Sequence, residues 1–166
     1  IQEYVPQILQ TGEYMHYLKI LPSLCILILF CMSANAQMVS TLVDSNQGPS
    51  DALKFGPDGY LYGADFNGTK IYKISMSGNV SVFADGLDHP NGMDFDASGN
   101  LYVGNPQINK IYKISPNGVK SQYGGNIPNP NGLLFIPNTD TLLVASYNFN
   151  RISKLAPNGN LSIWLS

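Results

Sequence analysis

The sequence predicts an all-β fold, a β-propeller fragment of three four-stranded blades preceded by an N-terminal orphan strand, and three observations predict it. The first is an internal repeat, which must be sought before any other pattern. Lys70-Ile71-Tyr72-Lys73-Ile74-Ser75 recurs 40 residues later as Lys110-Ile111-Tyr112-Lys113-Ile114-Ser115, and 41 residues beyond that as Arg151-Ile152-Ser153-Lys154-Leu155-Ala156. Other landmarks keep step: Leu61 with Leu101 and Leu142, Gly78 with Gly118 and Gly159, Ala52 with Gly92 and Gly132, Phe55 with Phe95 and Phe135. The second is that each copy divides into four strand-like runs separated by turn residues. The third is that these runs are apolar on both sides, as in Tyr60-Leu61-Tyr62 and Leu142-Leu143-Val144. A sheet with one wet face alternates apolar and polar, whereas a blade held between two others buries both faces.

Taken in order, residues 1–14 precede Met15 and are read as an upstream translated segment. Residues 15–36 read as a secretory signal peptide. His16 stands before, and Lys19 near the start of, an apolar run from Leu18 to Met32, which is followed by the small-residue site Ala34-Asn35-Ala36. That run is shorter than the roughly 20 apolar residues of a membrane span. The expected location is therefore secreted or periplasmic, with no membrane attachment after cleavage. Cys25 and Cys31 both fall inside the apolar run, and His89 is the single histidine after it. Disulfides, thiolate catalysis and Cys- or His-rich metal sites are then excluded from residues 37–166.

Val39-Ser40-Thr41-Leu42-Val43 matches the last strand of a blade, Val80-Ser81-Val82-Phe83-Ala84, yet has no three strands before it. The blades follow at about 51–85, 91–124 and 131–166. In the first, the strands are expected at Ala52 to Phe55, Tyr60 to Ala64, Lys70 to Ser75 and Val80 to Ala84, with turns at Pro57-Asp58-Gly59, Phe66-Asn67-Gly68 and Ser77-Gly78. Three blades are fewer than the four to eight that typically close a ring. The expectation is that further C-terminal blades complete it, to about six in all.

Composition narrows the function. The chain is 12% charged with a net charge of -2 and carries no basic run, so a nucleic-acid partner has no electrostatic support. Its 16 glycines, 11 prolines and 10 tyrosines suit short strands and frequent turns. Following the chain through a blade puts the loop before the first strand and the loop between the second and third strands on one face, the top. The top collects Asp51, Asn91 and Asn131 at the start of the first strands. It also collects Asp65, Asn105 and Ser146 at the end of the second strands. One side-chain oxygen per blade at the mouth of the ring suits a hard cation such as Ca²⁺, which takes about six to eight oxygens. The same residues are also ordinary turn formers. Asp65, Asn105 and Ser146 are candidates for substrate binding or for loop capping, and Asp65 and His89 for proton transfer. Asn67-Gly68-Thr69, Asn79-Val80-Ser81 and Asn160-Leu161-Ser162 fit the glycosylation pattern.

The segment from His89 to Val103, with its Pro90-Asn91-Gly92-Met93-Asp94-Phe95 repeated as Pro130-Asn131-Gly132-Leu133-Leu134-Phe135, resembles a blade of the senescence marker protein/gluconolactonase family. It equally resembles the NHL repeat. The gluconolactonase resemblance implies a divalent metal on the ring axis held by a Glu in the first blade and Asn or Asp in later ones. By position Asp51 takes the Glu place, one methylene shorter, and Asn91 and Asn131 take Asn places. The implied activity is metal-dependent hydrolysis of a lactone or ester. The NHL resemblance implies instead a non-catalytic module holding a glycan or protein. A third possibility is a propeller similar to the streptogramin-inactivating lyases, suggested by Pro57-Asp58-Gly59 before Tyr60-Leu61-Tyr62.

Overall fold

The computed structural model describes Leu42, Val43, Pro49 and residues 51–166. The segment 1–14, the expected leader 15–36 and residues 39–41 of the orphan strand lie outside the described residues. Among the described residues there are twelve strands. The first sheet holds β1 Leu53–Phe55, β2 Leu61–Ala64, β3 Ile71–Ile74 and β4 Val80–Ala84. The second holds β5 Met93–Phe95, β6 Leu101–Asn105, β7 Lys110–Ile114 and β8 Lys120–Tyr123. The third holds β9 Pro130–Phe135, β10 Leu142–Ser146, β11 Arg151–Leu155 and β12 Leu161–Leu165. Each is an antiparallel meander in sequence order. The four strands expected in the first copy are found within one residue at each end.

The turns explain the meander. The Pro-Asp-Gly turn after β1 and its counterpart after β5 end on Gly59 and Gly99 at φ +80° and +79°, a region where a Cβ is costly. The third copy has Thr139 at that place and one extra residue. There Asn138, which tolerates the left-handed region, takes φ +59° instead.

Apolar faces then stack the sheets. Tyr62 of β2 meets Phe83 of its own β4 and Phe95 of the next blade edge-on, at 4.9 and 5.0 Å between ring centres. One blade on, Tyr102 repeats this with Tyr123 and Phe135, at 4.8 Å each. Ile71, Leu101, Val103 and Ile114 fill the space between blades one and two, and Ile111, Leu142, Val144 and Leu155 the space between blades two and three. All eight are fully buried. Each contributes about 1.5–3 kcal/mol relative to exposure, so stacking rather than strand propensity holds the arc together. The two-sided burial read from the sequence is thus present, most fully in β6, where all five residues are buried.

The first strands of successive blades lie side by side and are bonded to one another. The Gly92 N–H donates to the Asn131 carbonyl at 2.8 Å. The Phe135 N–H donates to Asp94 Oδ2 at 2.7 Å, and Lys54 Nζ reaches Asp94 Oδ1 at 2.8 Å. A Cβ on Gly92 would run into the Asn131 carbonyl, and one on Gly104 into that of Pro130. Glycine at both places lets blade three approach blade two backbone to backbone. Leu42 occupies a telling place. A Cβ on Gly118 would meet the carbonyl oxygen of Phe83, and one on Gly78 would meet that of Leu42. Leu42 therefore stands to blade one as Phe83 stands to blade two, which is the place expected of a preceding fourth strand. Leu42 and Val43 are not themselves in a ladder.

Candidate functional site

The top face is built as the chain direction requires. Its connectors and loops are bonded by a repeated pattern: Leu87 N–H to the Thr69 carbonyl and Ile127 N–H to the Asn109 carbonyl, both at 2.9 Å. Asp51 and Asn91 hold one register position, since their N–H groups donate to the carbonyls of Ala64 and Gly104, at 3.2 and 2.9 Å. Asp51 is exposed, Asn91 is 9% exposed and Asn131 is half-buried. In blades one and two, two residues at the start of the first strand face one of the second: Asp51 and Ala52 face Ala64, and Asn91 and Gly92 face Gly104. The pairing of β9 with β10 jumps from Gly132–Ala145 to Pro130–Ser146, so Asn131 sits in a bulge. The Gly92–Asn131 backbone bond sets the start of the third blade's first strand beside that of the second, and Asp51 lies at the matching edge of β1.

As donors for the implied metal, these three are one carboxylate and two neutral amide oxygens. Among the described residues no group of three or more His, Cys, Asp or Glu side chains converges. Hard cations take neutral oxygens as well as charged ones, so the chemistry of this donor set is compatible with one.

The second trio is turned into the fold. Asn105 is fully buried and its Nδ2 donates to the Asp88 carbonyl at 2.8 Å. Ser146, 3% exposed, donates from Oγ to the Pro128 carbonyl at 2.8 Å. Asp88 and Pro128 are 40 residues apart, so the two side chains clamp the same point of successive connectors. Asp65 is half-buried, with its N–H on the Lys70 carbonyl and its own carbonyl accepting from Gly68, both at 3.0 Å.

His89 sits in a left-handed turn, φ +51°, with Nδ1 2.6 Å from Asp88 Oδ1 and its ring edge-on to Phe66. The matching residue in the next copy, Asn129, is left-handed too, at φ +45°. Asn129 takes its place in a small network. Its N–H donates to Asn109 Oδ1 at 2.7 Å, its Nδ2 to the Pro106 carbonyl at 3.3 Å, and its Oδ1 accepts from Asn148 N–H at 3.3 Å.

Two groups escaped the sequence reading. One is Asp94, which links all three first strands. Its signal was a repeat position occupied by Lys54, Asp94 and Leu134, opposite charges in adjacent copies. The other is an Asp–Tyr–Lys cluster at the bottom of each of the first two blades. Tyr62 Oη donates to Asp58 Oδ2 at 2.9 Å and Lys73 Nζ lies 2.7 Å from the same oxygen. In the next blade Tyr102 and Lys113 meet Asp96 at 3.2 and 3.6 Å. Burial works to raise the Asp58 carboxyl, but hydrogen bonds from Lys73, Tyr62 and Tyr60 outweigh it and hold it below the usual carboxylate range. Burial pushes the Tyr102 hydroxyl up, and the Asp96 charge adds to that. The carboxylates stand at different turn positions, Asp58 four residues before its Tyr and Asp96 six, so the repeat alone did not reveal the cluster.

No family model matches the chain, and no curated protein matches it. Solved structures do. A catalytically inactive virginiamycin B lyase from Staphylococcus aureus, solved with quinupristin, superposes with a TM-score of 0.62 at 18% identity, over 74% of this chain and 43% of that one. A gluconolactonase from Xanthomonas campestris gives 0.60 at 16%, over 70% and 47%. A chain of the nidogen/laminin complex gives 0.65 at 19%, over 78% and 52%. These likenesses establish the fold as part of a β-propeller. The chain spans about half the length of the structures it matches. The repeat's resemblance to gluconolactonase and streptogramin-lyase propellers meets a neighbour of each kind.

Proposed function

We propose that these blades form the ligand-holding top of a propeller that hydrolyses a lactone or ester with a divalent cation, Ca²⁺ among the candidates. The observation supporting the reading is the shared register of Asp51 and Asn91, whose N–H groups bond the matching carbonyls of Ala64 and Gly104, with the Gly92 N–H on the Asn131 carbonyl. The Xanthomonas campestris neighbour, a gluconolactonase, supports it. Asp51, Asn91 and Asn131 would hold the cation. When bound, a divalent cation polarises a carbonyl and lowers the pKa of water. The chain's own residues do the rest. Asn91 is nearly buried, and its N–H is held on the Gly104 carbonyl. His89, oriented by Asp88, is the candidate proton acceptor of this reading.

A non-catalytic binding module is the second reading, favoured by Asp51 being one carboxylate beside two amides in the proposed donor set and by the inward use of Asn105 and Ser146. Thermal melting with and without Ca²⁺ separates the two. Under the hydrolase reading Ca²⁺ raises the melting temperature saturably, Asp51→Asn abolishes the rise, and a sugar lactone is opened only with the cation present. No rise with Ca²⁺, Mg²⁺, Mn²⁺ or Zn²⁺, together with no lactone opening, leaves the binding module.

A further inference from the structure

At the bottom, opposite the mouth, a slot of about 310 Å³ opens between blades one and two. Pro57, Asp58 and Tyr62 line it from the first blade, and Phe95, Ser98 and Pro116 from the second. Gly99 lies between the two prolines. A Cβ there would stand 3.7 Å from Pro57 Cγ and 3.8 Å from Pro116 Cγ, so the space exists because residue 99 carries no side chain. A carboxylate meets the blade tyrosine in both blades, but from different turn positions. In blade two it is Asp96. At the matching place in blade one stands Gly56, where a Cβ would run into Tyr62 and Asp58 Oδ1. Glycine there lets Asp58 fold back onto Tyr62. Ser98 holds in blade two the place that Asp58 holds in blade one. With Asp96 serving its tyrosine, the exposed Ser98 hydroxyl has no partner among the described residues. Asp58 Oδ2 takes both Tyr62 Oη and Lys73 Nζ, whereas Oδ1 accepts only the Tyr60 N–H among them, at 3.3 Å. The lining thus holds two polar groups with spare hydrogen-bonding capacity, set among proline and aromatic rings.

We propose that this slot holds one neutral sugar residue, its hydroxyls on Asp58 and Ser98 and the carbon face of its ring against the prolines. Charge sorts the candidate ligands. A cation drawn to Asp58 meets the Lys73 ammonium, 2.7 Å from the same carboxylate, and an anion meets the carboxylate itself. An ionised carboxylate only accepts hydrogen bonds. The ligand must therefore donate without carrying charge, as a hydroxyl does. Apolar walls with a few placed polar groups suit a small molecule, and about 300 Å³ is the low end of such pockets, room for one ring. The lining comes from two adjacent blades and does not depend on further ones. The slot lies at the other end from Asp51, Asn91 and Asn131 and needs no cation, so it goes beyond the hydrolase reading and stands or falls separately.

The test is saturation-transfer difference NMR on the full chain, free of divalent cations. The probes are the methyl glycosides of glucose, galactose, mannose and N-acetylglucosamine, with ethylammonium and acetate as charged controls. The expected result is saturable transfer to at least one glycoside at millimolar concentration and none to either ion. Gly99→Asn puts a side chain between the two prolines, in the left-handed geometry that Asn138 takes in blade three, and is expected to abolish the transfer. Ser98→Ala leaves the backbone bonds of the turn in place and is expected to weaken binding about threefold or more. Melting temperatures check that both variants fold, and if Gly99→Asn does not, Ser98→Ala decides alone. No saturable transfer to any glycoside, equal transfer to either ion, or a folded Gly99→Asn or Ser98→Ala variant that binds as tightly as the native chain each overturns the proposal. Transfer that survives Gly99→Asn and is lost with Asp51→Asn assigns the sugar to the mouth, and overturns it too.

Discussion

Asp94 joins three blades through one carboxylate. It is 4% exposed, it accepts from Phe95 N–H at 2.9 Å within its own strand, from Phe135 N–H in blade three, and it meets Lys54 of blade one. Asp94→Ala leaves two backbone donors without their acceptor in a largely buried place. The expected cost is about 2–3 kcal/mol of stability, read as a lower denaturant midpoint. Lys54→Met removes only the half-exposed end of the ion pair and is expected to cost under about 1 kcal/mol. Equal losses from both changes would mean that the Phe135 bond carries none of the effect. The residue was legible only as an alternation of charge at one repeat position. Its burial, and its reach to both neighbours, came from the packing of strands about 40 residues apart.

At the scale of elements, small residues set how closely the first strands approach. Gly92 and Gly104 bring backbone against backbone between blades two and three, whereas Ala52 and Ala64 stand at the matching places in blade one. Gly92→Ala is expected to force the two blades apart at a cost of about 1–3 kcal/mol. Gly132→Ala is expected to be nearly neutral, because its Cβ would meet only the Ala145 Cβ at an ordinary 3.4 Å. Paired thermal melts of the two variants check this, and similar shifts for both would refute the account. The strands themselves were readable from turn residues and apolar runs. The bulge at Asn91 and at Asn131 was not, because a linear pattern does not show that two neighbouring residues share one partner across the ladder.

For the whole arc, the outer blades keep faces that their equivalents bury. Phe95 and Phe135 lie partly buried against Tyr62 and Tyr102, while Phe55 is 58% exposed. On the other side Leu134 and Trp164 are 53% and 52% exposed, where blade two has the buried Asp94 and the partly buried Tyr123. Such faces favour association. The chain as it stands is expected to self-associate at micromolar concentration, and Phe55→Asp with Leu134→Asp to reduce this. Light scattering that finds a single compact monomer before any substitution would contradict the expectation.

The sequence by itself determined the number of sheets, their strand order, the turns and the stacking contacts. Each of these follows from a local pattern written three times, and a pattern repeated at fixed spacing must fold each time to similar neighbours. It also placed Asp51, Asn91 and Asn131 at one end, because direction along a meander is a matter of counting. Only the tertiary structure decided what the polar side chains there do. Asn105 and Ser146 face inward to connectors, Asp94 ties three strands, and Arg151 lies over Phe149. Those outcomes depend on distances between blades, and on single departures from the repeat. A hydrogen bond is won or lost within a few tenths of an ångström, whereas an apolar contact needs only approximate proximity. Burial is therefore legible in a linear pattern, and polar pairing across blades is not.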